Sequence, residues 1–185
     1  DQIKNLKVLI IGETIIDKYI FCEAMGKSGK ESVLVMRDMF FEKYLGGAAA
    51  VANNISNFSK KVSYVSFLGS DKSNLDYIHS QMSSRIKKFF FKKKNSPTII
   101  KKRFVEYINK TKILGVYSIN DQPLNKQEEL KFNRNIIKFI KKHDLVIVSD
   151  YGHGLISDNS AKLIVKNSKF LAVNTQVNAT NLGFH

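Results

Sequence analysis

Two glycines head a run of small residues, Tyr44-Leu45-Gly46-Gly47-Ala48-Ala49-Ala50-Val51-Ala52-Asn53-Asn54-Ile55, and this stretch is the part of the chain best suited to holding a ligand. Gly-Gly adopts backbone angles barred to other residues and leaves no side chain between backbone and ligand. The amides of the helical turn that follows have no partner within the helix and can meet an oxygen-rich molecule. The same pattern also serves plain tight packing, so its neighbours matter. Upstream, Gly12-Glu13-Thr14-Ile15-Ile16-Asp17 places a carboxylate a few residues beyond an apolar run, where it can accept hydrogen bonds from adjacent hydroxyls or simply close a turn. The Gly-x-Gly-x-x-Gly of dinucleotide folds is missing here. His153, between Gly152 and Gly154, reads as a loop residue, because a general base needs an orienting partner and the sequence names none.

The elements that must position these residues follow from hydrophobic patterning. Val8-Leu9-Ile10-Ile11, residues 62–68, Leu145-Val146-Ile147-Val148 and Phe170-Leu171-Ala172-Val173 are continuous apolar runs, as in strands buried on both faces of a parallel sheet. Helices are predicted over 48–58, 75–86, 125–141 and 157–165. The third carries Asn125 and Glu128 at capping-box spacing and Phe132, Ile136 and Ile140 on one face, and the fourth has Ser157 as its cap. Such alternation predicts an α/β fold with a doubly wound, mostly parallel sheet. Residues 19–41 and 98–117 break the rhythm with β-type runs, the second having its hairpin tip at Asn109-Lys110, and are read as a small β-sheet lid. A lid of this kind covers the carboxyl ends of parallel strands, where ligands bind in open α/β folds.

Taken in order, Gly12-Glu13-x-x-x-Asp17, Gly46-Gly47-Ala48-Ala49, Asn54, Gly69-x-Asp71 and Ser149-Asp150-Tyr151-Gly152-x-Gly154 resemble the amino-terminal half of a PfkB (ribokinase-like) carbohydrate kinase. Within that family the likeness is greatest to the heptose-phosphate kinase domain of ADP-heptose biosynthesis. The resemblance implies a ribokinase-like sheet with a β-sheet lid and ATP-dependent phosphorylation of a sugar or sugar-phosphate hydroxyl, with ATP and Mg2+ as cofactors of the full-length protein. It implies substrate-binding roles for Asp17, Gly46, Gly47, Asn54 and Asp150, and for Lys101 and Arg103, whose Lys-x-Arg suits a substrate phosphate. Ala50 and His153 depart from the heptose-kinase pattern, which has Asn and Lys there. No catalytic residue is assigned within the chain, since the family's Gly-Ala-Gly-Asp base is expected beyond His185. Residues 1–185 are therefore expected to be the amino-terminal portion of a kinase domain whose carboxyl-terminal part is missing, inactive alone. The alternative is a non-catalytic sugar-binding or regulatory module of the same fold. A homodimer through the lid, burying parts of Met36, Phe40 and Phe104, is a further expectation of the resemblance.

Composition narrows the partners. The 185 residues carry 30 Lys and Arg against 16 Asp and Glu, a formal charge of +14. Only Arg37, Arg85, Arg103 and Arg134 are arginines, and the Lys-rich balance argues against nucleic acid, whose recognition favours the guanidinium fork. The runs Lys87-Lys88 and Lys92-Lys93-Lys94 around Phe89-Phe90-Phe91 read as the solvated ends of a strand. A single Cys22 excludes an intramolecular disulfide and a cysteine zinc cluster, and no metal site is expected. No apolar run reaches the roughly 20 residues of a membrane span, and no leader pattern opens the chain, so a cytoplasmic location is expected.

Overall fold

The computed structural model describes residues 2–69 and 71–176. Five apolar segments form one all-parallel sheet: β1 (Lys7–Gly12), β4 (Lys61–Leu68), β5 (Lys87–Lys92), β8 (Leu145–Asp150) and β9 (Leu171–Thr175), in the order β5-β4-β1-β8-β9. Helices cover both faces, which is why the central strands are largely apolar and buried on both faces and not alternating. On one face α2 (Gly47–Ile55) and α3 (Lys72–Gln81) bury Val8, Ile10, Tyr64 and Ile78 with Ala48, Ala49 and Ala52. On the other, α4 (Lys126–Ile140) and α5 (Asp158–Asn167) bury Leu9, Ile11, Val65 and Phe67 with Phe132, Ile136 and Ile164. Each such large side chain contributes about 1.5–3 kcal/mol when buried.

Local chemistry sets the helix starts. Asn125 and Glu128 close a reciprocal capping box on α4, and the Ser157 side chain accepts from the Ser160 backbone N–H at the head of α5. Helix α3 is shifted from the predicted 75–86: it ends at Gln81, and Met82 and Ile86 then pack into the core on the way to β5.

The second sheet has four strands in the order β3-β2-β6-β7, namely β3 (Leu34–Gly46), β2 (Thr14–Lys27), β6 (Ile99–Glu106) and β7 (Lys112–Ser118). Its first hairpin is longer than residues 19–41, because β2 and β3 stay paired down to Ile15 and Gly46. The lid thus grows directly from Gly12-Glu13 at the end of β1 and returns directly into α2. The tip between β6 and β7 falls at residues 107–111, with Lys110 at a φ of 56°.

The sheet locates the cleft. Strand order runs one way from β1 to β4 and β5 and the other way from β1 to β8 and β9, so the reversal lies between β1 and β8. Open α/β folds bind ligands outside the carboxyl ends of the two strands flanking such a switch point, which here are the ends at Gly12-Glu13 and Ser149-Asp150. No helix among the described residues is long and apolar enough to cross a membrane, which says nothing of β-barrels.

Candidate functional site: a cleft between floor and lid

Glu13 forms the floor of the cleft. Its side chain is fully buried, with Oε2 accepting from the Tyr151 N–H at 2.9 Å and Oε1 from the His153 and Leu155 N–H groups at 3.2 and 3.4 Å. One carboxylate thus fixes the loop that follows β8. Burial pushes the Glu13 carboxyl up to about 7, the negative charge of Asp150 adds to the rise, and the backbone N–H groups oppose it. Asp150 is itself buried and accepts from the Gly152 N–H at 2.9 Å.

The loop is also stitched to the segment leaving the lid. The His153 Nδ1–H donates to Asp121 Oδ1 at 2.7 Å, since a carboxylate only accepts. The Leu124 N–H donates to Gly154 O at 3.2 Å. Lys93, expected to be solvated, is buried instead, with Nζ donating to Asn120 O at 2.6 Å and His153 O at 3.2 Å. Burial lowers the pKa of both Lys93 and His153. So His153 has the partner the sequence did not reveal, and its buried Nε2 has no hydrogen-bond partner among the described residues.

The lid supplies the opposite wall. Asp17 lies within β2, not in a turn, and its register partners are Lys101 on β6 and Tyr44 on β3. Side chains two apart share a face of a strand, so Asp17, Tyr19, Lys101, Arg103 and Tyr117 line one side of this sheet. Arg103 Nη1 donates to Asp17 Oδ1, and the guanidinium lies 5.4 Å from the Tyr19 ring centroid and 5.8 Å from that of Tyr117. Lys101 Nζ is 5.8 Å from the Tyr117 centroid. Burial lowers the Lys101 pKa while Asp17 raises it. A shallow cavity of about 380 Å³ opens on this face, lined by Asp17, Tyr19, Phe21, Glu42 and Tyr44.

The two glycines meet this wall at its root. A Cβ on Gly46 would stand 2.3 Å from Asp17 Oδ2, so only glycine leaves the carboxylate its place. Gly47 has a φ of 60°, and a Cβ there would reach within 2.5 Å of Glu13 O. No side chain caps α2 at Gly46, and the Ala48 N–H is taken by Glu13 O at 2.9 Å.

The structure therefore brings together Asp17, Gly46, Gly47, Lys101 and Arg103 above the Glu13 and Asp150 floor. Asn54 is placed apart: it is exposed, seven residues beyond Gly47 on α2, about 10 Å along the helix axis. Its neighbour Asn53 is engaged structurally, binding Gln81 O and the Ser83 N–H. Glu13, Asp121 and Lys93 are the site residues that sequence reasoning missed. For Glu13 the available signal was a carboxylate directly after a buried strand and its closing glycine, a position where no solvent is near. Among the described residues no group of three His, Cys, Asp or Glu side chains converges as a metal ligand set. A cavity of about 620 Å³ lies elsewhere, between β5 and α4, lined by Phe67, Phe89, Phe91 and Phe132 together with Lys88, Lys92, Glu128 and Lys131.

The site joins an open α/β sheet, at its switch point, to a β-sheet lid rooted in two glycines. Residues 5–176 match the model of the pfkB family carbohydrate kinases, and the chain belongs to that family. Over 167 residues it is 28% identical to the bifunctional protein HldE of Campylobacter jejuni strain RM1221, covering 90% of this chain and 34% of the relative. Similarity to HldE of Nitratiruptor sp. is 25% over 162 residues, 88% of this chain and 34% of the relative. The chain thus spans about a third of the length of these relatives. Among solved structures, a carbohydrate kinase from Agrobacterium tumefaciens superposes with a TM-score of 0.66 at 17% identity, over 91% of this chain and 53% of that one. An Arabidopsis thaliana ribokinase complexed with ribose and ATP does so with a TM-score of 0.59 at 13% identity, again over 91% and 53%. These likenesses show the ribokinase-like fold.

Proposed function

We propose that this chain supplies the sugar-binding half of an ATP-dependent kinase acting on a hydroxyl of a sugar or sugar phosphate. The observation that carries the reading is the inner face of the lid, where Asp17 Oδ2 stands over Gly46 while Arg103 holds Oδ1 and Lys101 lies in register beside it. A carboxylate anchored by one oxygen keeps the other for substrate hydroxyls, and charge-assisted bonds of this kind are worth about 1.5–3 kcal/mol. Lys101 and Arg103 suit an anionic substituent on the same sugar. Phosphoryl transfer asks the protein for positioning and charge neutralisation more than covalent chemistry, and this half meets the first requirement. ATP would supply the phosphoryl group. On this reading the nucleotide and its Mg2+ are held by residues outside the sugar-binding half.

Two consequences follow for assembly and activity. Residues 1–185 alone should not turn over ATP, because lacking a positioned base forfeits roughly 10²- to 10⁴-fold in rate. The outer face of the lid exposes Phe41, Leu114 and Val116, and we assign it to pairing with a second lid. Phe40 belongs to the inner face, stacked on Phe21 with centroids 4.7 Å apart.

Calorimetric titration with ribose, fructose 6-phosphate and heptose 7-phosphate tests the reading. Binding of at least one sugar is expected, with Arg103→Gln weakening a phosphosugar more than its unphosphorylated form. Absence of binding by all sugars, or equal loss for both forms, would count against the assigned roles.

A further inference from the structure

At the opposite end of the sheet from the cleft lies a second cavity of about 370 Å³, enclosed by the first residues of β1, β4 and β5 and the end of α4. Lys7, Lys60, Lys61, Arg85, Lys87 and Lys142 line it, and no carboxylate does. Its interior is apolar and aromatic: Val62, Phe89 and Phe139, with the two rings 4.4 Å apart between centroids. The buried polar groups beneath are already satisfied. The His143 Nδ1–H donates to Phe139 O at 2.6 Å, and Nε2 pairs with Ser63 Oγ at 2.9 Å.

A Lys-rich composition scatters cations over any surface, and 30 Lys and Arg against 16 Asp and Glu leave many without a carboxylate, so what distinguishes this site is their convergence on one cavity. Ion pairs form away from this cavity at Arg37 with Glu23 and Lys162 with Asp158, and at its rim Asp144 accepts from the Lys7 backbone N–H at 3.0 Å and pairs with Lys169. Six cations facing one concavity, offset in part by Asp144 at its rim, repel one another, and low-dielectric walls focus their field into the opening. That arrangement favours an anion with several charges.

The geometry points to a binding site here for a small polyphosphate that carries a planar ring, with phosphates on the lysine and arginine rim and the ring against Phe89 and Phe139. The cavity volume falls within the range of small-ligand pockets, whereas a nucleic-acid strand needs an extended groove. The site is about 17 Å from the candidate sugar cleft, the rise of β1 from Lys7 to Gly12. It is therefore a place where a phosphorylated metabolite of the nucleotide kind can bind without occupying the substrate cleft. The inference stands on these residues and not on the kinase reading.

The test titrates the full chain with ATP and with inorganic triphosphate, in the absence of metal and at moderate salt. Three proteins are compared: the natural sequence, the cavity variant Lys61→Gln/Arg85→Gln/Lys87→Gln, and the lid variant Lys27→Gln/Lys30→Gln/Lys112→Gln, which removes equal charge elsewhere. Far-ultraviolet circular dichroism checks that each is folded, and Arg85→Glu alone replaces the triple variant if that protein fails to fold. We expect one ATP per chain, bound more tightly than triphosphate. The cavity variant should lose roughly tenfold or more in affinity and the lid variant less than about twofold, reflecting the local field of three charges. Equal losses in both variants, or no binding of either probe, would overturn the site. So would displacement of ATP by a short single-stranded oligonucleotide whose binding depends equally on both sets of lysines, since that result marks a diffuse nucleic-acid surface.

Discussion

Floor and lid of the cleft are both polar, yet they are built by opposite means. On the floor, Glu13, Asp150, His153 and Lys93 are each less than 5% exposed, and each spends hydrogen bonds on backbone groups or on a neighbour that orients the loop. On the lid, Asp17 and Arg103 keep side chains 22% and 20% exposed, and they bind each other and not the backbone. Buried polar groups that hold backbone are part of the fold, and their loss leaves partners unsatisfied. Partly exposed groups on a lid strand can change at a smaller cost in stability. On the proposed reading, the contrast separates residues that hold the loop after β8 from residues that meet the sugar.

The largest effect should come from Glu13→Ala. Orphaning three backbone N–H groups in a buried loop is expected to cost about 3–5 kcal/mol of stability, read as a lowered denaturation midpoint. A loss below about 1 kcal/mol would dissolve the distinction drawn between floor and lid.

A pH series sharpens the same point. Glu13 has a folded pKa near 7, raised from an ordinary value of 4.5. The folded state therefore holds a proton that the unfolded state releases between those values, and stability falls as pH rises through that window, by up to roughly 3 kcal/mol. Glu13→Gln removes the titration and should flatten the slope between about pH 4.5 and 7. An unchanged slope in the variant would assign the pH dependence to another group.

Gly46→Ala is the intermediate case, lying where floor and lid meet. Its methyl group would displace the end of the Asp17 side chain and not backbone, so affinity for sugar should drop about as far as on loss of one charged hydrogen bond, about 1.5–3 kcal/mol, with stability changed by less than about 1 kcal/mol. Isothermal calorimetry and thermal melts on the same preparation check both numbers. The smallest effect is on assembly: Phe41→Lys on the outer face should weaken lid pairing in sedimentation equilibrium without altering sugar affinity.

How much of this was legible in the sequence follows the same division. The parallel core was readable because strands buried on both faces are continuous apolar runs, and α4 because its cap and stripe are local signals. The lid was readable as β structure, but not its length, since Ile15 and Ile16 extend the apolar character of β1 across the Gly12-Glu13 break. Lys93 looked solvated because it sits in a lysine run; only the return of the chain past Asn120 and His153 gives its ammonium buried acceptors. The Glu13 role was hidden for the same reason, its three donors being 138 to 142 residues away. Such long-range polar pairings leave no periodicity to detect.

The central claim, that the lid face recognises the sugar while the floor maintains the fold, is tested most directly by Asp17→Asn with two readouts from one protein sample. Sugar affinity by calorimetry should fall by about 1.5–3 kcal/mol, a factor of ten to a hundred or more, while the melting temperature stays within about 2 °C of the natural sequence. A melting temperature lowered by many degrees with sugar affinity unchanged would contradict the account and make Asp17 a structural partner of Arg103.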